Sequence, residues 1–96
     1  MGTAEITGKQ REQILALAAK RGAFNIRIFG SVARGDANPD SDVDFLVDLE
    51  EGRSLFDLGG LLYDLQNLLH RKVDVVTEAG LHWYIKDKVV KEAKPL

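Results

Sequence analysis

The 96 residues, 45% apolar and 29% charged with a formal net charge of −2, describe an ordinary globular chain and predict one domain over residues 1–96. The near balance of charge gives no global reason to bind a nucleic-acid backbone, and no direct nucleic-acid binding is expected. The absence of cysteine excludes disulfides, thiolate zinc sites and cysteine nucleophiles. No apolar run approaches membrane-spanning length and no signal-peptide core opens the chain, so no membrane and a cytoplasmic location are expected.

Thr7 followed three residues later by Gln10 reads as a capping box opening a helix over Gly8–Arg21, with Ile14, Leu15, Leu17 and Ala18 as its apolar stripe and Gly22 as its stop. Phe24–Phe29 alternates and carries β-branched residues, which predicts a strand. Ser31–Arg34 predicts a short helix capped by the Gly-Ser pair, and Gly35–Ser41 is turn chemistry throughout. Asp42–Leu49 alternates as a second strand, with Val43, Phe45, Val47 and Leu49 on one face and Asp42, Asp44, Leu46 and Asp48 on the other. Ser54 with Asp57 caps a helix to Leu69, whose predicted stripe is Leu55, Leu58, Leu62, Leu65 and Leu69. Gly59 and Gly60 weaken it internally and are read as allowing close packing on the sheet. Lys72–Thr77 is a third strand. Leu81–Ala93 is a last helix with Leu81, Ile85 and Val89 inward, and Pro95 limits its extension. The order α-β-α-β-α-β-α predicts a two-layer α/β domain: a small mixed sheet, helices on one face and the carboxylates on the other.

Charge is unevenly spread. Asp36–Glu51 holds seven acids and no Lys or Arg, whereas Lys86–Lys94 holds four lysines against two acids. Such crowding of carboxylates is relieved by water or by a cation, which raises the expectation of metal binding. Asp42 and Asp44, two residues apart on a strand, lie about 6.6 Å apart on one face and can flank a shared hard cation. Asp48 lies about 13 Å beyond Asp44, too far to share it, and is expected to be a solvated rim residue. Asp74, set in the apolar run Val73–Val76, is costly there unless paired, metal-bound or wet. If its strand neighbours Asp42–Leu49, three carboxylates converge opposite the Gly30-Ser31 turn, a site suited to Mg²⁺ and polyphosphate.

Gly30-Ser31-Val32-Ala33-Arg34-Gly35, then Ser41-Asp42-Val43-Asp44, then Asp74, resembles the polymerase-beta-type nucleotidyltransferase superfamily, and more narrowly its minimal nucleotidyltransferases, over nearly the whole chain. The combined Gly-Ser-x10-Asp-x-Asp spacing carries the resemblance; either half alone is a weak signal. The resemblance implies a nucleotidyltransferase-like fold and transfer of AMP from ATP to a hydroxyl. It implies that Gly30 and Ser31 bind the β- and γ-phosphates, that Asp42 and Asp44 hold two Mg²⁺ ions, and that Asp74 helps bind the catalytic metal or activates the acceptor. Arg34 adds a bidentate phosphate contact or pairs with Asp36 or Asp40. It further implies an antitoxin of a HEPN/minimal-nucleotidyltransferase module that adenylylates its HEPN ribonuclease partner; a homo-oligomer is also compatible.

Three other readings are weighed against it. Gly30-Ser31 on its own is an ordinary turn, and the aspartates on their own are a solvated strand end. Asp40, Asp42, Asp44 and Glu51 match ligand positions of an EF-hand calcium loop, but Phe45 stands where the sharp turn needs glycine. A non-catalytic module that neutralises a partner stoichiometrically would not require the carboxylates. His70 and His82 have no metal-ligand spacing, Trp83 and Tyr84 are expected in the core, with a partner surface beside the lysine-rich helix as the alternative, and no Walker A sequence is present.

Overall fold

Thr7 opens the first helix as its side chain and that of Gln10 cap one another's backbone N–H groups. In this computed structural model, which describes residues 6–38 and 40–96, α1 runs over Gly8–Lys20. It leads into β1 (Ala23–Phe29), the short α2 (Gly30–Arg34) and β2 (Val43–Leu49). Ser54 and Asp57 form a second capping box for α3 (Leu55–Leu69), followed by β3 (Val73–Val76), a 3-10 turn at Glu78–Gly80 and α4 (Trp83–Glu92). Pro39, within the predicted turn, lies outside the described residues.

The sequence pattern did not anticipate β4 (Lys94–Pro95), which pairs with Arg27 and Ile28. Proline cannot continue a helix, but at a sheet edge its missing N–H costs nothing. Sheet order is β3-β2-β1-β4, with β2 and β3 parallel and the other pairs antiparallel. The parallel pair is what α3 makes possible, because parallel neighbours need a crossover connection.

The core lies between the sheet and α1 with α3. Ile14 and Ala18 of α1 and Leu61 and Leu65 of α3 meet Ile28, Val43, Phe45, Val47, Val73 and Val75. Each fully buried large side chain contributes about 1.5–3 kcal/mol of apolar transfer. Each predicted stripe loses one member to solvent, while Ile14, Leu17 and Ala18 of α1 and Leu58, Leu62, Leu65 and Leu69 of α3 pack in or against the core. Leu15 is exposed, and Leu55 is 81% exposed while the unpredicted Leu61 is 1% exposed at the centre of α3's buried face. Leu55 is the first residue of the helix, and the buried face begins a turn later with Leu58. Gly60 faces α1 instead of the sheet: a Cβ there would lie 2.6 Å from the Arg21 guanidinium, which pairs with Asp64 at 3.1 Å. Gly59 has nothing within 4 Å of such a Cβ. In α4, Val89 is buried but Ile85 is exposed. Among the described residues no helix is long and apolar enough to cross a membrane.

Candidate active site

The junction of β1 and α2 forms the first half of the site. Phe29 is extended, and Gly30 then turns the chain with φ of +75°, a conformation that L side chains resist. A Cβ on Gly30 would also overlap the Asp44 carboxylate. Glycine is therefore required twice over, by backbone conformation and by the close approach of β2. The Ser31 side chain does not cap α2, contrary to expectation, and makes no hydrogen bond among the described residues; Phe29 occupies the cap position. The Ser31 hydroxyl thus retains its hydrogen-bonding capacity for another group.

The second half is built by strand register. Asp44 sits opposite Phe29 on β1 and opposite Asp74 on β3, so Asp74 does lie on the strand next to the Asp-x-Asp strand. Asp42 precedes β2 by one residue. The loop entering it is held by Arg71, whose Nη2 donates to the Asn38 and Ser41 carbonyls at 3.1 and 2.7 Å, and by an N–H of Val43 donating to the Lys72 carbonyl at 3.0 Å. Asn38 and Ser41 tighten the same turn, since the Asn38 N–H donates to Ser41 Oγ at 2.9 Å. This strand and turn geometry is not that of a calcium-binding loop.

Burial pushes the Asp44 carboxyl up to about 6, with the Asp74 and then the Asp42 carboxylates adding to the rise and Arg34 opposing it. Asp44 is therefore close enough to feel both of the other acids. Among the described residues no three His, Asp or Glu side chains form a ready-made metal cage. Mg²⁺ fits this arrangement nevertheless: it is bound by one or two carboxylates with water and substrate phosphates completing its shell, and seldom by an all-protein cage. A carboxylate held that far above its ordinary range, by burial first and then by its acidic neighbours, is electrostatically suited to a cation.

Arg34 pairs with Asp36 at 3.2 Å, one of the two partners anticipated, and with Glu92 at 2.6 Å, which was not anticipated. Glu92 also accepts the Gly30 N–H at 3.1 Å. Its only sequence signal was its place as an acid within the lysine-rich Lys86–Lys94 stretch. Asp48, expected as a solvated rim residue, is partly exposed but also paired: it accepts from Arg27 at 3.1 Å and from the Asn25 amide at 2.9 Å, and Glu78 holds the other side of the same guanidinium at 3.4 Å. Leu46, between Asp44 and Asp48 on their face, is fully buried. Trp83 and Tyr84 are 79% and 67% exposed, not core, and make tilted ring contacts with His82 and an edge-on contact with each other at the start of α4. His70 caps α3 in the left-handed conformation, with φ of 53°.

The family model described as nucleotidyltransferase domain matches residues 11–96. The protein adenylyltransferase MntA of Thermococcus cleftensis is 40% identical over 94 residues, covering 93% of this chain and 95% of its own. A solved structure named, by inference, a minimal nucleotidyltransferase is 49% identical, covers 92% of this chain and 90% of its own, and superposes with a TM-score of 0.82. A crystal structure of a toxin–antitoxin with AMP-PNP, 23% identical and covering 88% of this chain and 69% of its own, shares the fold at a TM-score of 0.75. This chain belongs to the nucleotidyltransferase domain family, among its minimal members, and is a nucleotidyltransferase enzyme.

Proposed function

We propose that the chain is a Mg²⁺-dependent protein adenylyltransferase that moves AMP from ATP to a hydroxyl of a cytoplasmic HEPN-domain partner in a toxin–antitoxin module. The observation that carries this reading is the register that sets Asp44 between Phe29, the residue before Gly30, and Asp74. The name of the Thermococcus relative supports protein as the acceptor, and the motif resemblance supports a HEPN protein as the partner.

In this reading the Gly30 N–H, the Ser31 hydroxyl and the Arg34 guanidinium take the β- and γ-phosphate oxygens. Asp42 and Asp44 hold Mg²⁺, two ions in the full assembly, with Asp74 beside them. When bound, the metal neutralises charge developing on the attacking and leaving oxygens. Asp74, exposed at the sheet edge and in register with Asp44, orients the incoming hydroxyl and accepts its proton. The acceptor oxygen forms a bond to the α-phosphorus, the bond from that phosphorus to the bridging oxygen breaks, and pyrophosphate leaves.

The test incubates the purified chain with Mg²⁺-ATP and the HEPN protein encoded beside it, then weighs the partner. A gain of one AMP that disappears with Asp42→Asn is expected; no gain, or an equal gain with the variant, refutes the assignment. A second reading, stoichiometric neutralisation without catalysis, is favoured by the exposed Phe56, Trp83 and Tyr84, which offer apolar contact area. Under that reading Asp42→Asn/Asp44→Asn still neutralises the partner. Lost neutralisation with retained complex formation supports the enzyme.

A further inference from the structure

The donors assigned to polyphosphate are not idle in this chain. One carboxylate holds two of them. Glu92 Oε2 accepts the Gly30 N–H at 3.1 Å, and Glu92 Oε1 accepts from Arg34 Nη1 at 2.6 Å. The two oxygens of one anion engage a backbone N–H and a guanidinium, as two oxygens of a phosphate would. The Glu92 side chain is only 17% exposed, and its carboxyl is held below the usual range, chiefly by Arg34 and, less strongly, by the Gly30 N–H.

The placement of Glu92 follows from strand register. On the β1–β4 ladder Arg27 faces Pro95 and Ile28 faces Lys94. Continuing that antiparallel register by two residues brings Glu92 opposite Gly30. β4 therefore delivers the last residue of α4 to the turn at the end of β1. Glu92 also has an alternative cation: Lys88, one turn earlier on α4, already acts favourably on its charge.

We propose that Glu92 is a built-in occupant of the polyphosphate position, which a nucleoside triphosphate displaces in order to bind. This rests on the phosphate reading of Gly30 and Arg34. The exchange conserves hydrogen bonds, since phosphate oxygens replace carboxylate oxygens on the same donors, and the released carboxylate turns toward Lys88. It also removes a negative charge from beside Asp44, which Glu92 destabilises in its ionised form. The contact thus sets a threshold for triphosphate and leaves a nucleoside monophosphate, with no β- or γ-phosphate, largely unaffected.

Titration calorimetry with a non-hydrolysable ATP analogue and Mg²⁺, and separately with AMP, tests this on the wild type, Glu92→Gln and Glu92→Ala. Loss of a competing charge-assisted pair predicts roughly tenfold tighter triphosphate binding for Glu92→Ala. A smaller gain is expected for Glu92→Gln, and AMP binding should change by less than about twofold. Thermal melts establish that each variant is folded, and Glu92→Gln, which keeps the side-chain shape, decides the matter if Glu92→Ala does not fold. Unchanged or weaker triphosphate binding by a folded variant overturns the proposal, as does an equal gain for AMP, which would reveal a diffuse charge effect. If neither wild type nor variants bind triphosphate, the phosphate reading falls with it; if the wild type binds and the variants do not differ, only the Glu92 proposal falls.

Discussion

Replacing Asp44 by asparagine should stabilise the metal-free protein while removing a candidate metal ligand. An ordinary carboxyl titrates near 3.8, and Asp44 in the folded chain titrates at about 6. The folded state therefore binds the proton more tightly than the unfolded state. The penalty is absent below about pH 4, grows as pH rises through the window between the two values, and is complete above about 6. Two units correspond to a ceiling of about 3 kcal/mol at neutral pH. Solvent reaches the half-buried group, and screening reduces this to about 1–1.5 kcal/mol. Asp44→Asn keeps the shape, removes the charge and leaves no hydrogen bond broken, because the side chain accepts none among the described residues. At roughly 4–8 °C per kcal/mol for a domain of this size, Tm should rise by about 5–10 °C at pH 7.5 and scarcely move at pH 4. Thermal melts by circular dichroism, with chelator present, read both values. A variant less stable than wild type at pH 7.5, or an equal shift at both pH values, would refute the electrostatic account of this site.

Two further substitutions probe the geometry. Gly30→Ala meets both the +75° φ and the Asp44 carboxylate, so it should lose about 1–3 kcal/mol of unfolding free energy in urea titrations; a neutral result would mean that the turn relaxes freely. Leu61→Ala should cost about 2–5 kcal/mol and Leu55→Ala less than about 0.5 kcal/mol by the same measurement, and comparable costs would contradict the α3 burial pattern.

What the sequence made legible was local. The capping boxes at Thr7 and Ser54 and the alternation of Val43–Leu49 encode their structure within one turn or strand, and the Gly-Ser-x10-Asp-x-Asp spacing spans only α2, the turn after it and the start of β2. The pairing of Asp44 with Asp74 was expected only on condition that β3 neighbours β2, a fact of topology. Glu92 was invisible because its partners Gly30 and Arg34 are 62 and 58 residues away and only the β1–β4 register joins them. Leu55 and Leu61 were exchanged in the prediction because both fit a helical stripe, and only the helix start relative to the sheet separates them. Trp83 and Tyr84 misled through hydrophobicity alone. Large apolar side chains are often buried, but nothing in their local pattern says which helix end is left uncovered.

The two-residue strand β4 has a consequence for how the chain responds to force or to grafted sequence. The Leu96 N–H donates to the Ile26 carbonyl at 3.0 Å, and Arg11 Nε donates to the Leu96 carbonyl at 2.7 Å, so α1 and β1 together clip down the segment after α4. Unzipping Lys94–Leu96 bares the outer edge of β1, an open row of backbone donors and acceptors on which another strand can assemble. The same unzipping slackens the leash on Glu92, two residues upstream. Adhesion at that edge and access to the Gly30 turn are thus mechanically coupled.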